Sequence, residues 1–236
     1  MTEAEDPRSL ITATHIQAAL TKNQGQDARL ISWKLEDFTK KGDNYASFVT
    51  SVRVHFSLGG SSSKEEVSYV AKTNPRRRVK ALEAMMGSHF RREEMFYGVL
   101  APVLDGRLQR QGRGRLRVPQ CHHSSLEESR EILLLEDLRT RAFRMHDRRK
   151  GLDLPHALLV MEEIARLHAA SHLLQKALSP ELLAERYPPF GRRWMEEAPE
   201  REVFSVLFAG QLEGAAVLAE KVLVGRAQVG ASPGVV

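Results

Sequence analysis

Three short stretches of this sequence hold residues that could act on a nucleotide. The first ends at Lys72, in the β-patterned run Val67-Ser-Tyr-Val-Ala-Lys72, with Glu93 on the helical stretch that follows. A strand lysine held by a helix carboxylate keeps a flexible ammonium where phosphate oxygens can reach it. The second is Lys41-Gly-Asp-Asn44-Tyr-Ala-Ser47, a polar turn between two strand candidates. Backbone N–H groups and hydroxyls in such a turn can cradle phosphate, although the spacing of a Walker loop is missing. The third is Leu133-Leu-Leu-Glu136-Asp137-Leu138, an apolar strand running into a connection whose backbone could meet the edge of a base. Each also has a plainer reading: an exposed lysine, a β-turn, the end of a core strand.

The elements that must position these residues follow from periodicity. Residues 13–23 read as a short amphipathic helix with Ile16, Ala19 and Leu20 on one face and Gly25 as its stop. Arg29–Phe38, Phe48–Phe56 and Val67–Lys72 read as three strands of an antiparallel meander. Arg78–Leu104 reads as a helix, with Leu82, Met85, Met86, Phe90, Phe96 and Tyr97 at three- and four-residue spacing. An Arg/Gly loop covers Gly106–Arg117, and Ile132–Leu135 suits a buried strand. Residues 155–175 form the clearest helix, capped by Asp153, with Leu158, Met161, Ala165, His168 and Leu174 as its expected buried stripe. A further helix is expected over about residues 200–222.

Composition narrows the class. Hydrophobic residues at 42% and charged residues at 28% exclude a wholly disordered chain. No run approaches the roughly 18 apolar residues of a membrane span. The polar opening Met1–Arg8 does not read as a secretory leader. A single cysteine, Cys121, excludes an internal disulfide and a multi-cysteine zinc site, so the expected compartment is the cytoplasm. The net charge of +5 suits an anionic ligand without demanding one.

Five pieces in order resemble the ecdysteroid kinase-like (CHK kinase-like) family, relatives of choline kinases and aminoglycoside phosphotransferases. They are Lys41–Ser47, Tyr69-Val-Ala-Lys72-Thr-Asn-Pro75, Phe90-x-x-Glu93-x-x-Phe96-Tyr97, Leu135-Glu-Asp-Leu138 and Ile164-Ala-Arg-Leu-His168-Ala-Ala-Ser171. The resemblance implies an α+β, protein-kinase-like bilobal fold. A leader and helix would occupy 1–27, a complete β-rich N-lobe with hinge 28–138, an incomplete helical C-lobe 139–224 and a disordered tail 225–236. It implies ATP and magnesium as cofactors and phosphoryl transfer to a small-molecule hydroxyl. Lys72 would meet the α- and β-phosphates and Glu93 would pair with it. Asn44 and Ser47 would lie in the phosphate-covering loop, and Glu136, Asp137 and Leu138 would form the hinge. His168 would pack beneath the place of the catalytic loop.

That family also uses a catalytic-loop aspartate and metal-binding asparagine and aspartate residues beyond the Leu-His-Ala-x-Ser helix. Here the last aspartate is Asp153 and the last asparagine is Asn74. The expectation is therefore a fragment or an inactive chain, with no catalytic or magnesium-binding residue assigned. Unpacked C-lobe helices would favour self-association. Two alternatives stand beside this reading. One is a pseudokinase-like regulator that binds nucleotide without turnover. The other is a basic RNA- or anion-binding protein, resting on Arg76–Arg78 and on Arg107, Arg110, Arg113, Arg115 and Arg117. The lack of aromatic residues in the Arg/Gly loop weighs against nucleic acid, and no membrane partner is expected.

Overall fold

The computed structural model describes residues 6–38, 47–60, 63–74, 80–147, 149–191 and 200–230. Its contacts divide the chain into two compact units, 1–192 and 193–236. The first unit is built on a five-stranded antiparallel sheet in the order β1-β2-β3-β5-β4. The strands are β1 (Ala28–Asp37), β2 (Phe48–Leu58), β3 (Glu65–Thr73), β4 (Cys121–Ser125) and β5 (Ile132–Glu136).

The expected meander is present, because Val52, Val54 and Phe56 alternate with polar neighbours and so can bury only one face. That face packs under α1 (Ala13–Gln24). Ile16, Ala19 and Leu20 are fully buried there with Tyr69, Ala71, Ile132 and Leu134. Thr12 caps the helix, and Gly25, at φ 102°, ends it in a backbone conformation that side chains disfavour.

Strand β4 is absent from the sequence reading. Its residues, Cys-His-His-Ser-Ser, have neither alternation nor β-branched side chains, and its pairing with β5 shifts register between Cys121 and His123. It brings two histidines into the fold. Burial lowers the pKa of His122, the nearby Glu136 raises it and Lys22 lowers it further; the net is below the ordinary value of 6.5. His123 is also lowered, by burial, by His15 stacked on it at 5.4 Å and by Lys22. A histidine whose folded pKa is depressed is protonated first in the unfolded chain, so stability falls as pH drops through 6.5. The melting temperature is expected to be lower at about pH 5.5 than at about pH 7.5, and paired His122→Gln and His123→Gln changes to flatten that slope in pH-dependent calorimetry.

Helix α2 (Lys80–Glu94) runs through a π-helical turn, Met95–Leu100, into α3 (Ala101–Arg110). The helical path therefore passes the expected end at Leu104, and the Arg/Gly loop begins later. Pro102 follows the π-helical turn inside this continuous path and donates no backbone hydrogen bond to it. Helix α4 (Leu154–Leu178) is capped by Asp153 as the sequence indicates, its carboxylate accepting from the His156 N–H at 3.0 Å.

The buried stripe of α4 differs from the expected one. Ala170 and Leu174 pack against Leu104 and Leu108 of α3, whereas Leu158 and Met161 are each 60% exposed. Ala165 and His168 are exposed as well, so His168 is not a core histidine among the described residues. The N-terminal half of α4 is apolar on several sides, and periodicity alone could not choose the face. Two short helices, α5 (Leu183–Arg186) and α6 (Pro188–Gly191), close this unit.

The second unit is α7 (Glu200–Gly230), with Val206, Leu212 and Leu218 exposed. It continues over 225–230, which the sequence reading gave to a disordered tail. Arg226, Ala227 and Gln228 favour helix, and Gly225 alone costs about 1 kcal/mol, too little to stop it. Residues 231–236 lie outside the described residues. No described helix is long and apolar enough to cross a membrane.

Candidate nucleotide site

Alternation along β3 sends Tyr69, Ala71 and Thr73 into the core beneath α1 and leaves Ser68, Val70 and Lys72 on the opposite face. Lys72 lies opposite Val49 on β2 and Leu133 on β5. Helix α2 packs on this same face through Phe90, which is buried against Leu133, Leu135 and Cys121. Glu93 is one helical turn beyond Phe90 and so shares its side of α2. The result is an ion pair between Lys72 Nζ and Glu93 Oε1. The same ammonium lies 5.5 Å from the centre of the Phe90 ring. Both partners stay partly open to solvent, with the lysine side chain 23% exposed and the glutamate 33%.

The pair comes from residues far apart in the chain, and its arrangement is that of a phosphate-holding lysine in a kinase-like lobe. The family model for the ecdysteroid kinase-like family matches residues 41–225. The chain belongs to the ecdysteroid kinase-like family. No curated protein and no solved structure gives a significant match.

The other residues that the resemblance implies for a nucleotide site fall at the two ends of the Lys72 face or outside the described residues. Ser47 directly precedes β2 at the end where Phe48 pairs with Thr73 and Val49 with Lys72. Asn44 lies outside the described residues. Glu136, Asp137 and Leu138 lie at the other end, where Glu136 pairs with Tyr69. Tyr69 and Lys72 are three residue steps apart on β3, or about 10 Å.

The hinge is already extensively hydrogen-bonded. The Glu136 N–H donates to the Gln120 carbonyl at 2.8 Å. The Asp137 carbonyl accepts from the Thr140 N–H at 3.0 Å and the Thr140 hydroxyl at 2.7 Å. The Asp137 carboxylate, only 3% exposed, accepts from Ser68 Oγ at 2.8 Å and from Arg139 Nη2 at 2.6 Å and Nε at 2.9 Å. Arg139 Nη2 also donates to Ser51 Oγ at 2.7 Å, and its guanidinium lies 4.5 Å from the centre of the Phe38 ring. Arg139 thus bridges the hinge to β2 and to the last described residue before the phosphate-loop candidate.

Burial raises the Asp137 pKa, but hydrogen bonds from Arg139 and Ser68 and the Arg139 charge outweigh it, and the net is below the usual carboxylate value. Burial moves the other groups near this site upward: Tyr69 is pushed up to about 12, and the Tyr97 phenol and the Cys121 thiol are raised. Cys121 is therefore a poor nucleophile. Arg139, Phe38, Ser51 and Ser68 went unnoticed in the sequence reading. Ser68 had a usable signal, since period two puts it on the Lys72 face.

The donor set fits the phosphates of ATP through Lys72. It offers less to magnesium. Among the described residues, no three His, Cys, Asp or Glu side chains converge as a metal site would need.

Proposed function

We propose that this chain binds ATP along the β3 face, with Lys72 on the phosphates, Glu93 fixing it and the Glu136–Leu138 hinge beside the base. The Lys72–Glu93 pair is the observation that carries this reading. Phosphoryl transfer to a small-molecule hydroxyl, the activity the family name suggests, needs further groups. A carboxylate must orient the acceptor hydroxyl, and metal ligands must hold the charge of the transferring group. The described aspartates nearest in sequence are committed elsewhere. Asp105 accepts from the Leu116 N–H at 2.7 Å, Asp147 from the Arg149 N–H at 3.1 Å, and Asp153 caps α4. No aspartate follows Asp153. The function we infer for these 236 residues is nucleotide binding without turnover, in the cytoplasm, with a regulatory role as the second reading. The exposed Leu158 and Met161 face of α4 supports self-association as an accompanying property.

The test pairs two measurements on the whole chain. ATP with magnesium, at a concentration far above its Kd, is expected to raise the melting temperature. Transfer of labelled phosphate to a panel of steroid and amino-alcohol acceptors is expected to stay at background. No thermal shift at saturating ATP would end the nucleotide reading. Measurable, magnesium-dependent transfer would end the claim of binding without turnover.

A further inference from the structure

The Arg/Gly segment singled out by its sequence is away from Lys72, and it lines a cavity that shares Glu136 with the hinge. Gly112 and Gly114, at φ 66° and 71°, turn the chain out of α3. Leu116, 4% exposed, then enters the core, so its neighbours Arg115 and Arg117 are left outside. Arg166 of α4 donates from Nη2 to the carbonyls of Arg113 and Arg115, at 3.0 and 2.5 Å, and pins the segment to the helix. Arg141, following the hinge, comes in from the other side.

The five guanidinium-bearing residues Arg113, Arg115, Arg117, Arg141 and Arg166 line one cavity of about 540 Å³. Its carboxylate lining is only Asp105 and Glu136. Four of the five arginines are held by carboxylates: Arg115 by Asp105 at 3.2 Å, Arg141 by Glu136 at 3.4 Å, Arg117 by Glu162 at 3.5 Å and Glu163 at 3.7 Å, and Arg166 by Glu163 at 3.9 Å. These pairs let like charges converge, and among the described residues one of the five positive charges, that of Arg113, stays without a carboxylate.

We propose that this cavity binds a compact, multiply phosphorylated small molecule. Guanidinium forks from three separate segments match several phosphate groups better than one carboxylate. The volume lies within the usual range for small-molecule sites. No aromatic side chain lines it, so it offers no stacking surface for the bases of a nucleic acid. The site stands apart from the Lys72 pair and does not depend on the nucleotide reading.

Titration calorimetry of the full chain with sodium tripolyphosphate at low salt tests this. Lys72→Ala, which removes the phosphate contact of the nucleotide face, is expected to keep a tripolyphosphate site, and the arginine variants are compared in that background. There Arg113→Glu is expected to weaken binding at least about tenfold, with Arg113→Ala intermediate and both melting as Lys72→Ala does, since no described ion pair is removed. Four results would overturn the proposal: no binding at low salt, equal affinity after Arg113→Glu, loss of binding in Lys72→Ala, or tighter binding of a short oligouridine than of tripolyphosphate.

Discussion

Replacing Lys72 with alanine is expected to remove nearly all ATP-dependent stabilisation while leaving the unliganded protein close to wild type. The two halves of that result have different causes. In the free protein the Lys72–Glu93 pair is partly exposed on both sides. Pairs of that kind contribute roughly 0–1 kcal/mol, so the melting temperature without ligand moves little. With ligand, the ammonium is the described cation placed to meet phosphate on this face. Ligand at about 100 times its Kd stabilises by about 2.7 kcal/mol. A hundredfold weaker variant under the same conditions keeps only about 0.4 kcal/mol. For a unit of this size that is the difference between a shift of about 5–11 °C and one of about 1–2 °C. Glu93→Gln should fall between, because the lysine survives but loses the carboxylate that holds it. A full ATP-dependent shift in Lys72→Ala would remove Lys72 from the site.

How far these residues could be read in advance depends on the distance over which each is determined. Helix α1 and the β1–β3 meander were legible because their burial pattern is local: Ile16, Ala19 and Leu20 at helical spacing, Val52, Val54 and Phe56 at period two. Lys72 and Glu93 were legible for a different reason, the order and spacing of several weak motifs. Strand β4 was not, because a five-residue segment rich in histidine and serine pairs only where β5 offers an edge. The π-helical turn rephases the helix between Glu94 and Ala101, and its local signals are single residues, Gly98 within it and Pro102 just beyond it, which periodicity does not register. On α4 the sequence supplied apolar residues for more than one face, and only the packing of α3 picks Ala170 and Leu174.

The Arg139 network lies furthest from any local signal. Its bond to Ser51 joins residues 88 apart in sequence. Three residues from three strands or turns, Ser51, Ser68 and Asp137, meet there because register fixes their faces. The same network gives the hinge two roles. It ties the connection after β5 to the sheet, and it places a guanidinium on the Lys72 face beside Ser51 and Ser68. What holds Arg139 in place is Asp137.

The second large effect is expected at Asp137. Asp137→Ala removes the acceptor of Ser68, of both guanidinium donors of Arg139 and of the Arg139 backbone N–H that it caps. Breaking a fully buried ion pair costs roughly 3–5 kcal/mol. Here the arginine side chain is 45% exposed and can return to water, so about 2 kcal/mol is the expected loss, or about 4–8 °C in melting temperature. Asp137→Asn keeps an oxygen for the backbone cap and should cost less. The acid limb separates charge from shape. The folded pKa of Asp137 lies below its ordinary 3.8, so its contribution is complete above that value and is lost as pH falls toward the lower folded value. Wild type should therefore lose stability relative to Asp137→Asn as pH drops below about 4, and the two curves should converge there. Parallel curves down to the lowest pH at which the protein folds would mean that Asp137 is held by packing and not by its charge.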